Sequence, residues 1–246
     1  MKVLALYNIK GGVGKTAAAV NLAYLSASCG ARTLVWDLDP QGAASYYFRV
    51  KAKLKGGSEA LLERKHGVER RIKATDYPNL DLLPADFSHR NLDLVFDDRA
   101  KRKQQLRNLL QPLAGEYDYV FLDCAPSISL VSENVFRASD ALLIPTIPTT
   151  LSLRTLKQLQ GFLGDSRYAD LQVFPFFSMV DRRKRLHRDI MEGLPQRSEG
   201  VFRSFIPYAS DVERMGLQRA VVEAFSPRGA AAHAFRLLWL EIQKNL

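Results

Sequence analysis

The stretch Val3-Leu4-Ala5-Leu6-Tyr7-Asn8-Ile9-Lys10-Gly11-Gly12-Val13-Gly14-Lys15-Thr16 sets an apolar run against a glycine-rich turn, and helical composition follows it. Val3–Ile9 reads as a buried parallel strand, because it is a short apolar run with glycine-rich punctuation after it. Lys15–Cys29 reads as a helix, with alanines, Leu22 and Leu25 inside it and Gly30 placed to close it. A strand, a glycine turn and a helix N-terminus are the parts of a phosphate-binding loop. Gly11, Gly12 and Gly14 let successive backbone N–H groups, that of Val13 included, curl around phosphate oxygens. The helix N-terminus adds its partial positive charge. In such a loop Lys15 reaches the β- and γ-phosphates and the Thr16 hydroxyl ligates Mg²⁺.

Two further segments supply carboxylates. Val35-Trp36-Asp37-Leu38-Asp39-Pro40 closes a second strand, Arg32–Leu38, with two aspartates. Tyr119-Val120-Phe121-Leu122-Asp123 closes another with one. Ligands of open α/β sheets bind at the carboxyl ends of the strands, so Asp37, Asp39 and Asp123 are all expected to face the phosphates. Residues two apart on a strand share a face, which suits one aspartate acting on water or metal and the other supporting it. Read without the glycine loop, the same residues would be a strand-end cap and a turn starter. Cys124 reads as a small packing residue.

Working outward, strands and helices alternate. Strands are expected at Leu80–Leu83, Ala141–Ile147, Leu171–Val180 and Phe202–Ile206. Helices are expected at Leu106–Leu113, Ser152–Phe162, Arg183–Met191 and Ala230–Asn245. The 42–75 segment is polar and basic, with one or two short helices. No repeat, linker or composition break occurs. The expected fold class is α/β: one domain over residues 1–246, with a mostly parallel, twisted sheet flanked by helices on both faces.

At 246 residues, 47% hydrophobic and 25% charged, the chain can bury a core without disulfides or metal. Its two cysteines, Cys29 and Cys124, form no metal-binding spacing and match a reducing compartment. The N-terminus runs straight into the glycine loop and reads as a core strand, not a signal peptide. No stretch approaches the ~18 apolar residues of a membrane span. A soluble, cytoplasmic protein is expected. The net charge of +9 favours a polyanionic partner. The densest basic run is Arg182-Arg183-Lys184-Arg185-Leu186-His187-Arg188, which suits salt-dependent contact with a phosphate backbone. Two other basic groups, one at Lys51–Arg71 that includes Arg64 and Lys65, one at Arg99–Arg107, read as solvated surface. His66 and His89 are expected to have no catalytic role.

The loop departs from the usual pattern. Ile9 stands where a first glycine is customary, and Lys10 follows it. The form Lys-Gly-Gly-x-Gly-Lys-Thr resembles the deviant-Walker ATPases, in which the first lysine crosses a dimer interface to the partner's phosphates. With Asp37-Leu38-Asp39-Pro40-Gln41-Gly42, Leu122-Asp123-Cys124-Ala125-Pro126 and Ala138-Ser139-Asp140-Ala141-Leu142-Leu143-Ile144-Pro145, the chain resembles the ParA/Soj partition ATPases along nearly its whole length. The resemblance implies that Asp39 orients the attacking water and that Asp37 supports the magnesium shell. Catalysis would rest on Lys10, Lys15 and Asp39, and magnesium on Thr16, Asp37 and Asp123. It also implies a homodimer with ATP, non-specific DNA binding, a nucleoid location, and a ParB-like or cargo adaptor that stimulates hydrolysis. DNA contacts in that family lie in the C-terminal half, which would add Arg203, Arg214 and Arg219 to the basic run.

Two residues depart from the family. Ala17 stands where a second threonine is frequent. The loop Ile206-Pro207-Tyr208-Ala209 replaces the usual Ile-Pro-Arg-Asn, so Pro207 carries over as a nucleotide contact and the asparagine does not. The absence of an N-terminal helix-turn-helix extension speaks against sequence-specific autorepression. The rival reading is a MinD-like membrane-associated ATPase, which would want a basic amphipathic C-terminal helix. Here Phe235–Lys244 is apolar on more than one face and reads as docked on the core, so no membrane partner is expected. Whether the cargo is a plasmid, a chromosome or a protein assembly stays open.

Overall fold

The computed structural model describes residues 1–62, 67–99, 101–197 and 200–246, so Arg64, Lys65 and His66 lie outside it. Eight strands form one sheet: β1 (Lys2–Leu6), β2 (Thr33–Asp37), β3 (Lys73–Ala74), β4 (Leu80–Leu83), β5 (Tyr119–Asp123), β6 (Ala141–Thr146), β7 (Gln172–Val180) and β8 (Phe205–Pro207). Their spatial order is β3-β4-β2-β5-β1-β6-β7-β8. Every described pairing is parallel except β3 with β4. The expected α/β fold with a mostly parallel sheet is present.

Alternation along the strands explains the two-sided core. Leu4, Leu6, Val35, Phe121 and Leu143 face one layer of helices. Val3, Ala5, Tyr7, Leu34, Trp36, Val120 and Leu122 face the other. Because both faces are covered, the strands read as unbroken apolar runs. The first layer contains α1 (Lys15–Ser28), α2 (Ala43–Tyr47), α8 (Ser210–Gln218), α9 (Val222–Phe225) and α10 (Ala230–Asn245). The second contains α3 (Leu92–Asp97), α4 (Gln105–Leu110), α5 (Leu130–Ala138) and α6 (Thr150–Leu163). α7 (Arg185–Arg197) follows β7.

Helix α1 stops where its sequence predicts. Gly30 takes φ +90° and its N–H bonds the Ala27 carbonyl at 2.9 Å. The burial of α10 is equally plain: Trp239 meets Tyr119 at 5.3 Å and Phe121 at 6.0 Å between ring centroids. Buried Asn21 on α1 accepts the Val222 N–H at 2.8 Å and so ties α9 to the loop-bearing helix.

Four helices, α3, α5, α8 and α9, occur where no element was expected. The last strand covers Phe205–Pro207 instead of Phe202–Ile206. Phe202 instead stacks on Phe174 at 4.8 Å, and Pro207 is tolerated because β8 is an edge strand. Of the 42–75 segment, α2 is the expected short α-helix, and β3 adds an antiparallel edge.

Candidate active site

Strand order assembles the site. β5 lies between β2 and β1, so the carboxyl ends of all three meet, and Asp123 is level with both Asp37 and Leu6. The glycine loop leaves β1 at that point. Gly12 (φ +69°) and Gly14 (φ +90°) occupy the left-handed region. A Cβ on Gly14 would also stand 2.8 Å from Ser178 Oγ, so glycine is required there twice over. The turn is pinned to its neighbours: the Lys10 N–H donates to Asn8 Oδ1 at 2.9 Å, and Asn8 Nδ2 donates to the Pro145 carbonyl at 2.9 Å.

The two lysines differ. Lys15 is buried, and its Nζ donates to the Lys10 carbonyl at 3.2 Å across the loop. Burial pushes its pKa down, while Asp123, Cys124 and Asp39 pull it back. Lys10 is only half-buried, and its Nζ reaches Ser152 Oγ near the start of α6 at 3.4 Å. Gly11, Gly12 and Gly14 leave a concave backbone, Val13 is buried beneath it, and Thr16 opens α1 half-buried beside Asp123.

Asp37 is fully buried. Its Oδ2 accepts from the Ser45 N–H (2.8 Å) and hydroxyl (2.7 Å), and Oδ1 has no partner. Burial raises its pKa to about 6, the Asp39 charge adds to this, and the Ser45 bonds oppose it. Asp123 is also fully buried, and neither oxygen meets a partner of ordinary geometry. Burial first, and then Asp37, push its pKa well up; the nearby Thr16 hydroxyl and Lys15 act against them. Asp39 lies past the end of β2, half-buried in a turn where its Oδ1 accepts the Gln41 N–H at 3.0 Å. Asp37 and Asp39 are therefore not two strand residues on one face.

Three carboxylate oxygens thus stand buried without partners beside a hydroxyl. Unpaired buried anions are costly, and a hard cation is the group that satisfies them. Among the described residues no cluster of three or more His, Cys, Asp or Glu side chains could hold a metal by itself. Magnesium fits such a set, since it is held by one or two carboxylates together with substrate phosphates.

Beside the loop, on the β7–β8 side, is a cavity of about 190 Å³. Gly12, Gly14 and Ala17 form one wall, and Met179, Pro207 and Phe235 are among the residues opposite. Ala17 and Pro207, named from sequence, are brought together there. Ser45, Ser178, Tyr208 and Glu213 were not named as site residues. No spacing rule links Ser45 to Asp37. The loss of the usual asparagine after Pro207 was the available signal for Tyr208.

The AAA domain family matches residues 1–168. The chromosome partitioning protein ParA of Myxococcus xanthus is 39% identical over 203 residues, which cover 78% of this chain and 69% of that protein. This chain belongs to the ParA family. The sporulation initiation inhibitor protein Soj of Bacillus subtilis is 29% identical over 250 residues, 99% of each chain. Among solved structures, cobyrinic acid a,c-diamide synthase from Mycobacterium smegmatis with bound ATP analog and magnesium superposes with a TM-score of 0.76. It is 26% identical and covers 92% of this chain and 93% of that one.

The five cations of the basic run and the three added by the ParA resemblance do not share one setting. Asp181 organises the densest run: its carbonyl accepts the Lys184 N–H, its carboxylate accepts from Arg183, and its own N–H donates to His187 Nδ1 at 3.1 Å. The Arg183 guanidinium grips that carboxylate at 2.9 and 3.0 Å and holds its pKa down to about 2. Arg185 lies 3.7 Å from Asp189. Arg188 donates to the carbonyls of Arg182 and Arg183, and Arg182 lies over the Phe205 ring, so neither pairs with a carboxylate among the described residues. The backbone N–H of Arg203 donates to Glu241. Arg214 is exposed on α8, and Arg219 lies over Tyr46 of α2. In the Arg99–Arg107 group, Arg102 pairs with Asp97 and Lys103 with Glu133, the latter at 2.6 Å.

Proposed function

We propose that this ParA-family chain is an ATP hydrolase whose Mg·ATP state dimerises, binds DNA without sequence preference, and releases it on hydrolysis. The observation that carries the reading is the meeting of a glycine loop bearing Lys10 and Lys15 with three carboxylates at the ends of β2 and β5. Lys15 and the loop N–H groups hold the β- and γ-phosphates. Thr16, Asp37 and Asp123 hold magnesium, which supplies charge neutralisation on those phosphates when bound. Asp39, outside the buried pair and half-exposed, orients the attacking water. Lys10 brings positive charge to a partner's phosphates as the transition state gathers negative charge.

DNA is held through backbone phosphates by Arg182, Lys184 and Arg188, the members of the run without a carboxylate partner among the described residues. Arg183, Arg185, Arg203, Arg214 and Arg219 are secondary. Cytoplasmic, nucleoid-associated location and a ParB-like or cargo adaptor belong to the same reading. No helix among the described residues is long and apolar enough to cross a membrane.

Retention on non-specific duplex and on anionic vesicles, side by side, tests this. The chain is expected to hold duplex with ATP and not with ADP, and Asp39→Ala is expected to prolong the bound state. Glu at Arg182, Lys184 and Arg188 together should weaken binding by about tenfold or more and flatten its salt dependence. Retention on vesicles but not on duplex would overturn the DNA reading in favour of a membrane-cycling ATPase.

A further inference from the structure

We propose that Glu213, held in place by Tyr208, reads the base of the bound nucleotide and selects a purine that carries an amine at C6. The proposal rests on the nucleotide reading above and specifies the base end of the same site. The cavity of about 190 Å³ beside the glycine loop is smaller than the ~300 Å³ at which whole-ligand pockets begin. It suits one planar heterocycle of a ligand whose phosphates lie on the loop itself. Gly12, Gly14 and Ala17 leave its loop side free of bulk, and Pro207 and Phe235 make it apolar.

The strand end is shaped for it. The register of β7 with β8 shifts between Phe177 and Val180, and within that irregularity Met179 takes φ +55°. A bulge re-aims side chains at a sheet edge, and a non-glycine residue at positive φ persists where surrounding structure enforces it. Ser178 and Met179 both line the cavity as a result.

Ser178, Tyr208 and Glu213 are the residues with polar side chains among those that line it. The Tyr208 hydroxyl donates to Glu213 Oε1 at 2.7 Å. That bond fixes the carboxylate, and Glu213 Oε2 is bonded to no described residue. The other acidic side chain of the first turn of α8, Asp211, is already engaged by Ser226 Oγ at 2.9 Å. A carboxylate only accepts hydrogen bonds. Adenine presents an amine donor at C6, whereas guanine presents a carbonyl oxygen there. A base seated with C6 toward Glu213 is therefore attracted through the adenine amine, whereas a 6-oxopurine turns its carbonyl oxygen to the carboxylate there. A side-chain carboxylate takes over the discrimination for which this chain lacks an asparagine.

Calorimetry on the full chain with magnesium tests the proposal, using ATP, inosine triphosphate (amine replaced by oxygen) and inorganic triphosphate. Wild type is expected to favour ATP over inosine triphosphate by about tenfold, the scale of one hydrogen bond to a charged group. Glu213→Gln should bring that ratio to within about twofold and leave inorganic triphosphate binding unchanged, and Tyr208→Phe should fall between. Thermal melts confirm that the variants are folded. An ATP preference that survives Glu213→Gln, or no preference in wild type while Lys15→Ala still abolishes ATP binding, overturns the base-reading role and leaves the nucleotide reading intact. Triphosphate binding that is absent, or indifferent to Lys15→Ala, overturns both.

Discussion

Asp123 concentrates the residue-scale physics of this chain. It is fully buried, level with Asp37, and neither of its oxygens meets a described partner of ordinary geometry. A buried, unpaired carboxylate destabilises the fold that holds it, and a bound cation reverses the sign. Asp123→Asn is therefore expected to stabilise the nucleotide-free chain by about 1–3 kcal/mol. It should also remove the extra stabilisation that Mg·ATP gives over ATP alone. Urea unfolding with and without magnesium reads both effects, and a destabilised nucleotide-free variant would mean that Asp123 serves the fold and not a ligand. The meeting of Lys15, Gly14 and Asp123 at one end of the sheet was legible in sequence because it follows from local spacing. The contacts of Ser45 and Glu213 were not, because they arise only once β2 meets α2 and once α8 follows β8.

Elements were legible where one periodicity ran long. Helix α10 was expected over Ala230–Asn245 and is found there, and α1 ends at its glycine. Helix α5 was missed because it spans nine residues, and its capping box uses Ser132, whose Oγ accepts the Ser129 N–H at 2.8 Å, in place of the Glu or Gln that marks such a start. The basic helix starts at Arg185 instead of Arg183 because Asp181 closes a turn over Arg183 and Lys184 first. The link between β4 and α3 carries its own prediction. There His89 is buried, and burial, only partly offset by Asp86, lowers its pKa to about 4 from an ordinary 6.5. The folded state then binds fewer protons than the unfolded one between those values. Its stability is full above pH 6.5 and is lost as pH falls towards 4, by on the order of 3 kcal/mol. His89→Gln should flatten that acid slope in chemical denaturation at pH 7, 5.5 and 4.5. An unchanged slope would assign the acid sensitivity to other groups.

At the scale of the whole molecule, the decisive fact is that the loops after β1, β5 and β6 leave the same end of three neighbouring parallel strands. That end is unusual in what it exposes. Ile128, after β5, and Leu151, after β6, are 62% and 67% exposed, and Lys10 stands among these loops. Large apolar side chains gathered around a charged site mark a surface that another molecule covers. A second copy of the chain is the partner that makes sense of Lys10. Lys15 already serves its own loop from a buried position, whereas Lys10 is held only by a 3.4 Å contact to Ser152, a long bond whose release costs little. Lys10→Ala is accordingly expected to leave ATP affinity within about threefold of wild type and to lower hydrolysis by roughly 100-fold or more, since under the proposed function its charge acts on the transition state and not on binding. Ile128→Glu with Leu151→Glu should produce the complementary phenotype, a chain that binds ATP as a monomer. Sedimentation of each variant with Mg·ATP, in an Asp39→Ala background that holds the ATP state, separates the two roles. If Lys10→Ala instead lost ATP binding itself, the lysine would act within its own chain, and the site would need no second copy to be complete.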